Sequence, residues 1–153
     1  MKENMIYNFK THSINIRNRY KESSFSLTIY TLELVIDFKT RRLLYVQGYF
    51  PLPYEVDSSI ELPEEKRGDY FFNNIDVSNI KPYDVFSLSD KQPQSEIYLK
   101  KFPRLFDKEK GIIQLGSNKM EKLDFIKISN NLIVGQDNKF IIKCIYIIPD
   151  KFE

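Results

Sequence analysis

The residue alphabet of this chain constrains its fold more than any single motif does. Isoleucine occurs 19 times, phenylalanine 12 times and tyrosine 10 times, whereas alanine and tryptophan do not occur at all. Alanine is the strongest helix former, while β-branched and aromatic residues favour strands. With 153 residues, of which 42% are hydrophobic, the chain can bury a core, and we expect one domain over residues 1–153. The composition therefore predicts a mainly β fold, with α+β as the alternative.

The strand pattern is clearest in the first third of the chain. Apolar and polar residues alternate over residues 23–38, but the phase changes near Tyr30 and Thr31, which indicates a bulge or bend within one strand. The polar residues 39–42 follow, and residues 43–47 return to an apolar pattern. This succession predicts a β-hairpin that turns at residues 39–42.

The remaining elements are shorter. Residues 111–116 predict a short strand, and three apolar runs separated by Asn and Asp turns over residues 123–148 predict an antiparallel meander. Residues 12–17 are a further candidate strand. Residues 83–88 suit a short helix or strand, and residues 100–110 are the best candidate for a short helix, although Pro103 interrupts it. An antiparallel sheet, sandwich or half-barrel with long Pro-rich connections and at most two short helices would hold these elements.

The net charge of +2 conceals a division along the chain. Residues 1–54 carry 8 basic and 4 acidic groups, residues 55–96 carry 4 and 10, and residues 97–153 carry 11 and 7. The acidic middle third is rich in proline and in aromatic residues. One explanation is a solvated loop whose rings turn into the core. The other is a surface that recognises a basic partner, because aromatic anchors and complementary charge both favour association.

If this region is an interface, its carboxylates would steer a partner by charge and its rings would anchor it. Both residue types are most concentrated between residues 61 and 72. We therefore predict six partner-binding residues, which are Glu61, Glu64, Glu65, Asp69, Tyr70 and Phe72.

Catalytic chemistry has few candidate residues. Nucleophilic catalysis needs a base within hydrogen-bond reach of the nucleophile, and the chain has one histidine, His12, and one cysteine, Cys144. Cys144 is in phase with Ile142 and Tyr146 on a predicted strand, which favours a buried structural thiol. Zinc, calcium and phosphate-loop motifs are missing from the sequence. We predict no enzymatic activity, no metal and no cofactor, and an enzyme with an unrecognised site is kept as an alternative.

A second alternative is a nucleic-acid-binding accessory protein that uses residues 100–127. Eight lysine and arginine residues in this segment could meet phosphates, with Phe102 and Phe106 between them. Four acidic residues are interspersed, namely Asp107, Glu109, Glu121 and Asp124. This mixture favours a solvated face over a nucleic-acid site.

The N-terminus lacks a long apolar region and a small-residue cleavage site, so we expect no secretory signal. The longest aliphatic run, residues 145–148, is far too short to span a bilayer. We therefore expect a cytoplasmic protein without a membrane partner, in which the single thiol stays reduced.

Residues 34–51 combine an acidic strand end, a short polar turn, an apolar return strand and a Gly-Tyr-Phe-Pro exit. This segment resembles segments in small bacterial immunity proteins, including those of contact-dependent growth inhibition systems. The resemblance implies a cytoplasmic protein that binds the toxin domain of its own system and blocks its active site. Nuclease toxins present basic clefts, which an acidic, aromatic surface would complement. We therefore expect a protein-binding inhibitor whose partner is a cognate toxin of nuclease type.

Overall fold

A computed structural model describes residues 4–17, 23–29, 31–52, 58–73, 79–87, 104–116 and 122–153. Within these ranges the chain forms thirteen strands and no helix, so the fold is mainly β, as the composition predicts. The strands are β1 (Met5–Asn8), β2 (Ser13–Ile16), β3 (Ser24–Ile29), β4 (Leu32–Asp37), β5 (Leu43–Tyr49), β6 (Lys66–Arg67), β7 (Val85–Ser87), β8 (Arg104–Asp107), β9 (Ile112–Gly116), β10 (Asp124–Ser129), β11 (Leu132–Gln136), β12 (Ile142–Ile147) and β13 (Lys151–Phe152). None of the described residues belongs to a helix long and apolar enough to cross a membrane.

The strands form two mostly antiparallel sheets. The first has the order β13-β1-β2-β5-β4-β3-β7, and the second has the order β6-β10-β11-β12-β9-β8. Three edge pairs are parallel, namely β13 with β1, β7 with β3 and β6 with β10. One buried cluster contains Tyr7 and Leu34 of the first sheet together with Ile113 and Ile145 of the second. The fold is therefore a β-sandwich whose main core lies between the two sheets.

A smaller apolar cluster lies on the other face of the second sheet. Successive side chains of a strand point to opposite faces, so Ile145 and Ile147 join the main core while Cys144 and Tyr146 join the smaller cluster. Ile60, which precedes β6 in the chain, packs into the same cluster. The segment around Ile60 thus covers part of the outer face of the second sheet.

Several turns share one construction, in which an Asp or Asn at a strand end caps the turn that follows. Asp37 accepts hydrogen bonds from the backbone N–H groups of Lys39 (2.8 Å) and Thr40 (3.0 Å), and Arg41 then adopts a φ of 64°. Three other turns also combine a capping Asn or Asp with a following residue of positive φ. The pairs are Asn8 with His12, Asp107 with Gly111, and Asp137 with Phe140.

The hairpin predicted at residues 39–42 is confirmed, because β4 and β5 pair antiparallel on either side of it. The bulge predicted near Tyr30 and Thr31 is wrong. β3 and β4 are separate antiparallel strands that pair as far as Ile29 opposite Leu32, so the phase changes because the chain reverses there. Tyr30 itself lies outside the described residues.

The meander in the C-terminal third is confirmed, since β10, β11 and β12 are consecutive antiparallel neighbours. The strand predicted within residues 12–17 is β2, and the short element within residues 83–88 is β7. The helix predicted at residues 100–110 is wrong. Residues 104–107 form β8, which pairs with β9 and directs Phe106 into the core, and residues 100–103 lie outside the described ranges.

Candidate functional site

Residues 58–69, called here the acidic segment, run from the β8–β9 end of the second sheet to its opposite edge beside β10. The segment is fixed at its start by Ile60, whose backbone N–H donates to Asp107 Oδ2 at 2.9 Å. The Nζ of Lys110 donates to the Ile60 carbonyl oxygen at 3.0 Å. Two hydrogen bonds therefore hold this end of the segment to the end of β8 and the β8–β9 turn, and the buried Ile60 side chain holds it against the outer face of the second sheet.

The far end of the acidic segment is held as an added strand. Lys66 and Arg67 form β6, which pairs in parallel with β10. The N–H of Gly68 donates to the Lys127 carbonyl oxygen at 3.3 Å, and Arg67 Nη2 donates to Asn130 Oδ1 at 3.0 Å. Residues 61–65 are therefore held between two anchored ends.

All four predicted carboxylates are exposed on this segment, but they differ in their partners. Glu61 Oε1 lies 3.1 Å from Lys110 Nζ, and Asp69 Oδ1 lies 3.7 Å from Arg42 Nη1. Glu64 and Glu65 form no ion pair with any residue that the structure describes. Glu64 and Glu65 are therefore the carboxylates of the segment that have no ion-pair partner among the described residues, and two exposed cations, Lys66 and Arg67, follow them directly in the chain.

A cavity of about 1030 Å³ lies between the acidic segment and β10. Its lining includes three acidic residues, Glu64, Glu65 and Asp124, together with one basic residue, Lys66. This cavity, called here the groove, is lined by Pro63, Glu64, Glu65, Lys66, Leu123, Asp124, Phe125, Ile126 and Gln136. Sequence reasoning missed the contribution of residues 123–126, because only the parallel pairing of β6 with β10 brings them beside residues 63–66.

The Phe125 side chain, which lines the groove, packs against residues of β11 and β12. A Cβ at Gly135 would lie 2.7 Å from Cε1 of Phe125, so glycine allows the Phe125 ring to lie across β11. The same ring lies 6.0 Å, centroid to centroid, from the buried ring of Tyr146. The lining of the groove thus combines the packed ring of Phe125 with three acidic side chains.

The two predicted aromatic contacts, Tyr70 and Phe72, lie in the main core. They are 3% and 0% exposed, and their rings meet edge to face at 4.9 Å. This corrects the expectation that they present their rings at the surface. The backbone here pairs with the start of β5 through the Arg42–Phe71 bridge, so side chains alternate and Phe71 points outward instead.

His12 and Cys144 do not form a catalytic pair. His12 lies in the β1–β2 turn of the first sheet with its ring against Tyr49, whereas Cys144 is buried on the outer face of the second sheet. Burial raises the pKa of the Cys144 thiol to about 11, so the thiol is protonated at neutral pH and is a weak nucleophile. Among the described residues, no three His, Cys, Asp or Glu side chains are grouped so that they could hold a metal ion.

The basic segment 100–127 is not one coherent patch over the part that the structure describes. The Arg104 guanidinium lies 4.9 Å from the Phe50 ring centroid and donates to the Pro51 carbonyl oxygen at 3.1 Å. Phe106 is in the core, and Lys110 is engaged by the acidic segment. The side chains of Lys100, Lys101, Phe102 and Lys119 lie outside the described residues.

Comparison with known proteins adds no relative. No protein-family model matches the chain, and no curated protein sequence matches it.

Proposed function

We propose that this chain is an inhibitor protein of the immunity type, which binds a cognate toxin and covers its active site. One observation carries the proposal most strongly. Glu64 and Glu65 are exposed and form no ion pair among the described residues, and they line a groove together with the apolar residues Leu123 and Phe125. A basic protein surface is the complement of such a site.

The anchored acidic segment supports this function on energetic grounds. Ordering a loop during association costs free energy, and a segment already held at Ile60 and at β6 avoids much of that cost. Unpaired carboxylates also raise the rate at which a positively charged partner arrives. A nuclease is the class of toxin that fits best, because its cleft must attract phosphates and is therefore basic.

The groove suits a long basic side chain of the partner. Lysine and arginine bury their aliphatic stems on apolar surface while the charged head stays among polar groups. Here the stem would lie along Phe125 and Leu123, and the head would meet the carboxylates of Glu64, Glu65 or Asp124. Leu62, which is exposed between the carboxylates of the acidic segment, supplies an apolar anchor beside them.

We place this activity in the bacterial cytoplasm, where an immunity protein meets the toxin domain that enters the cell. The test uses the C-terminal domain of the polypeptide encoded immediately upstream of this chain. That domain is expressed in a host cell with and without this chain, and colony formation is counted. Survival that depends on this chain supports the proposal, and equal killing with and without it contradicts the proposal.

A further inference from the structure

Three turns meet at one end of the sandwich. The backbone N–H of Tyr83 donates to the Ser24 carbonyl oxygen at 2.6 Å, which joins the turn at residues 81–84 to the start of β3. Ser24 lies opposite Asp37, the residue that begins the turn between β4 and β5. The 81–84 turn and the 37–42 turn are therefore neighbours.

The third turn is joined to these two through residues 70–72. The backbone N–H of Phe72 donates to the Arg41 carbonyl oxygen at 2.9 Å. From the same segment, the Tyr70 hydroxyl donates to the Phe140 carbonyl oxygen at 2.5 Å, which holds the turn at residues 137–141. Hydrogen bonds thus connect all three turns and the segment between them.

This end carries three exposed aromatic side chains, and it is called here the aromatic end. Tyr83 is 72% exposed, Phe140 is 67% exposed and Phe71 is 41% exposed. Tyr83 and Phe140 also have φ values of 70° and 64°, where a bulky residue is strained and glycine would be favoured. Large rings held outward at strained positions are typical of functional surfaces rather than of packing.

Two of the three acidic groups of these turns are buried, while the third, Asp84, is half-buried and accepts a hydrogen bond from the backbone N–H of Lys81 at 2.9 Å. Asp37 and Asp137 are buried and accept hydrogen bonds from the backbone of their own turns. The exposed carboxylate of Asp69, two residues before Phe71, is paired with Arg42 at 3.7 Å. Exposed lysines remain at this end, namely Lys39, Lys81 and Lys139. The aromatic end therefore presents positive charge.

Each exposed ring has a cation beside it in the chain or across a strand pair. Lys81 is two residues from Tyr83 and Lys139 precedes Phe140, whereas Arg42, the bridge partner of Phe71, already pairs with Asp69. We propose that the aromatic end binds single-stranded nucleic acid, with bases stacking on the rings and phosphates meeting the cations. An acidic protein is a poorer fit, because protein interfaces are depleted in lysine, whereas lysine is a common phosphate contact.

This inference is independent of the proposed inhibitor function, since it uses no residue of the groove. The test titrates the full chain into a fluorescein-labelled oligothymidylate of about 20 nucleotides and follows anisotropy at several salt concentrations. One variant combines Phe71→Ala, Tyr83→Ala and Phe140→Ala. A second combines Lys39→Glu, Lys81→Glu and Lys139→Glu, and its matched control combines Lys10→Glu, Lys108→Glu and Lys151→Glu. Thermal unfolding confirms that each variant is folded.

We expect the aromatic variant to bind at least about tenfold more weakly than the unmodified chain. The lysine variant should also lose affinity, and the slope of log affinity against log salt should be shallower by about two. The control variant at Lys10, Lys108 and Lys151 should keep an affinity and a salt-dependence slope closer to those of the unmodified chain. Failure of the unmodified chain to bind the oligonucleotide would overturn the proposal. So would equal losses in the lysine variant and its control, or complete competition by poly-L-glutamate at equal charge, which would indicate an acidic polypeptide partner instead.

Discussion

The hydroxyl of Tyr70 donates a 2.5 Å hydrogen bond to the carbonyl oxygen of Phe140, and this bond joins the two sheets at one end of the sandwich. The backbone of Tyr70 is bound to the first sheet, because its carbonyl oxygen accepts a hydrogen bond from the N–H of Leu43 at 2.8 Å. Phe140 belongs to the β11–β12 turn of the second sheet. Tyr70, expected at first to contact a partner, instead positions the loops that surround it.

Replacing Tyr70 by phenylalanine tests this role. The Tyr70→Phe variant loses one hydrogen bond with little change of shape, so its free energy of unfolding should fall by about 1 kcal/mol. Urea denaturation measures the change. Tyr49→Phe is the control, because the Tyr49 ring is half exposed. Removal of the Tyr49 hydroxyl should leave the midpoint of urea denaturation almost unchanged. Equal effects in the two variants would contradict a specific role for the Tyr70 bond.

Gly48 should be the least replaceable glycine of the described sheets. Its φ is 114°, and a Cβ there would lie 2.7 Å from the carbonyl oxygen of Thr31. Gly48→Ala combines backbone strain with a clash against backbone, so the free energy of unfolding should fall by about 3 kcal/mol. Gly68→Ala is the control, because its Cβ would meet only a side-chain methyl at 3.2 Å. If Gly48→Ala were as stable as the unmodified chain, the close approach between Gly48 and the Thr31 carbonyl oxygen would not restrict this position, which would contradict the prediction.

Cys144 should be unreactive while the chain is folded. Its side chain is fully buried, and the raised pKa of its thiol, about 11, leaves little thiolate near pH 8. Ellman's reagent should therefore label the thiol only after unfolding in guanidinium. Rapid labelling of the folded chain would contradict the structural role of Cys144 and would return attention to nucleophilic chemistry.

Stability should decline in acid. Hydrogen bonds from the N–H groups of Ile60 and Lys110 lower the pKa of Asp107. Burial alone would raise the pKa of Asp137, but hydrogen bonds from the N–H groups of Ile141 and Lys139 outweigh it, so that pKa is lowered as well.

A carboxyl with a lower pKa in the folded chain adds stability above its unfolded pKa, which is about 4. That stability is lost as the pH falls through the folded pKa. The urea midpoint should therefore be nearly constant from about pH 7 to about pH 5 and should fall below about pH 4. Asp137→Asn should be less stable at neutral pH and should show a smaller decline in acid than the unmodified chain. Glu109→Gln, which changes an exposed carboxyl, is the control, and an unchanged decline in Asp137→Asn would contradict the assignment.

Local patterns predicted most strands, and they failed where two patterns looked alike. The hairpin after Asp37 could be predicted because apolar strands flank a polar turn. The turn after Asp107 has the same capping carboxylate and a left-handed Gly111, yet its charged residues resemble a helix face, and β8 was missed. The reversal between Ile29 and Leu32 is so short that it resembles a change of phase within one strand.

The candidate site was predicted only in part. Charge along the chain indicated the acidic segment, because the density of carboxylates does not depend on tertiary structure. The phase of Tyr70, Phe71 and Phe72 could not be predicted, since three consecutive rings fit either face of a strand. The groove could not be predicted either, because it depends on a parallel pairing between residues about sixty positions apart, β6 with β10.

The proposed function rests on the binding of a basic partner by Glu64 and Glu65. The most direct measurement is the affinity of this chain for the C-terminal domain of the polypeptide encoded upstream, which the proposal takes to be the toxin. Isothermal titration compares the unmodified chain with a Glu64→Lys, Glu65→Lys variant and with a Glu109→Lys, Glu153→Lys control of equal net charge. We predict that the first variant binds at least about tenfold more weakly and with a shallower salt dependence, whereas the control changes little. Equal affinities and equal salt dependence for all three chains would contradict the claim.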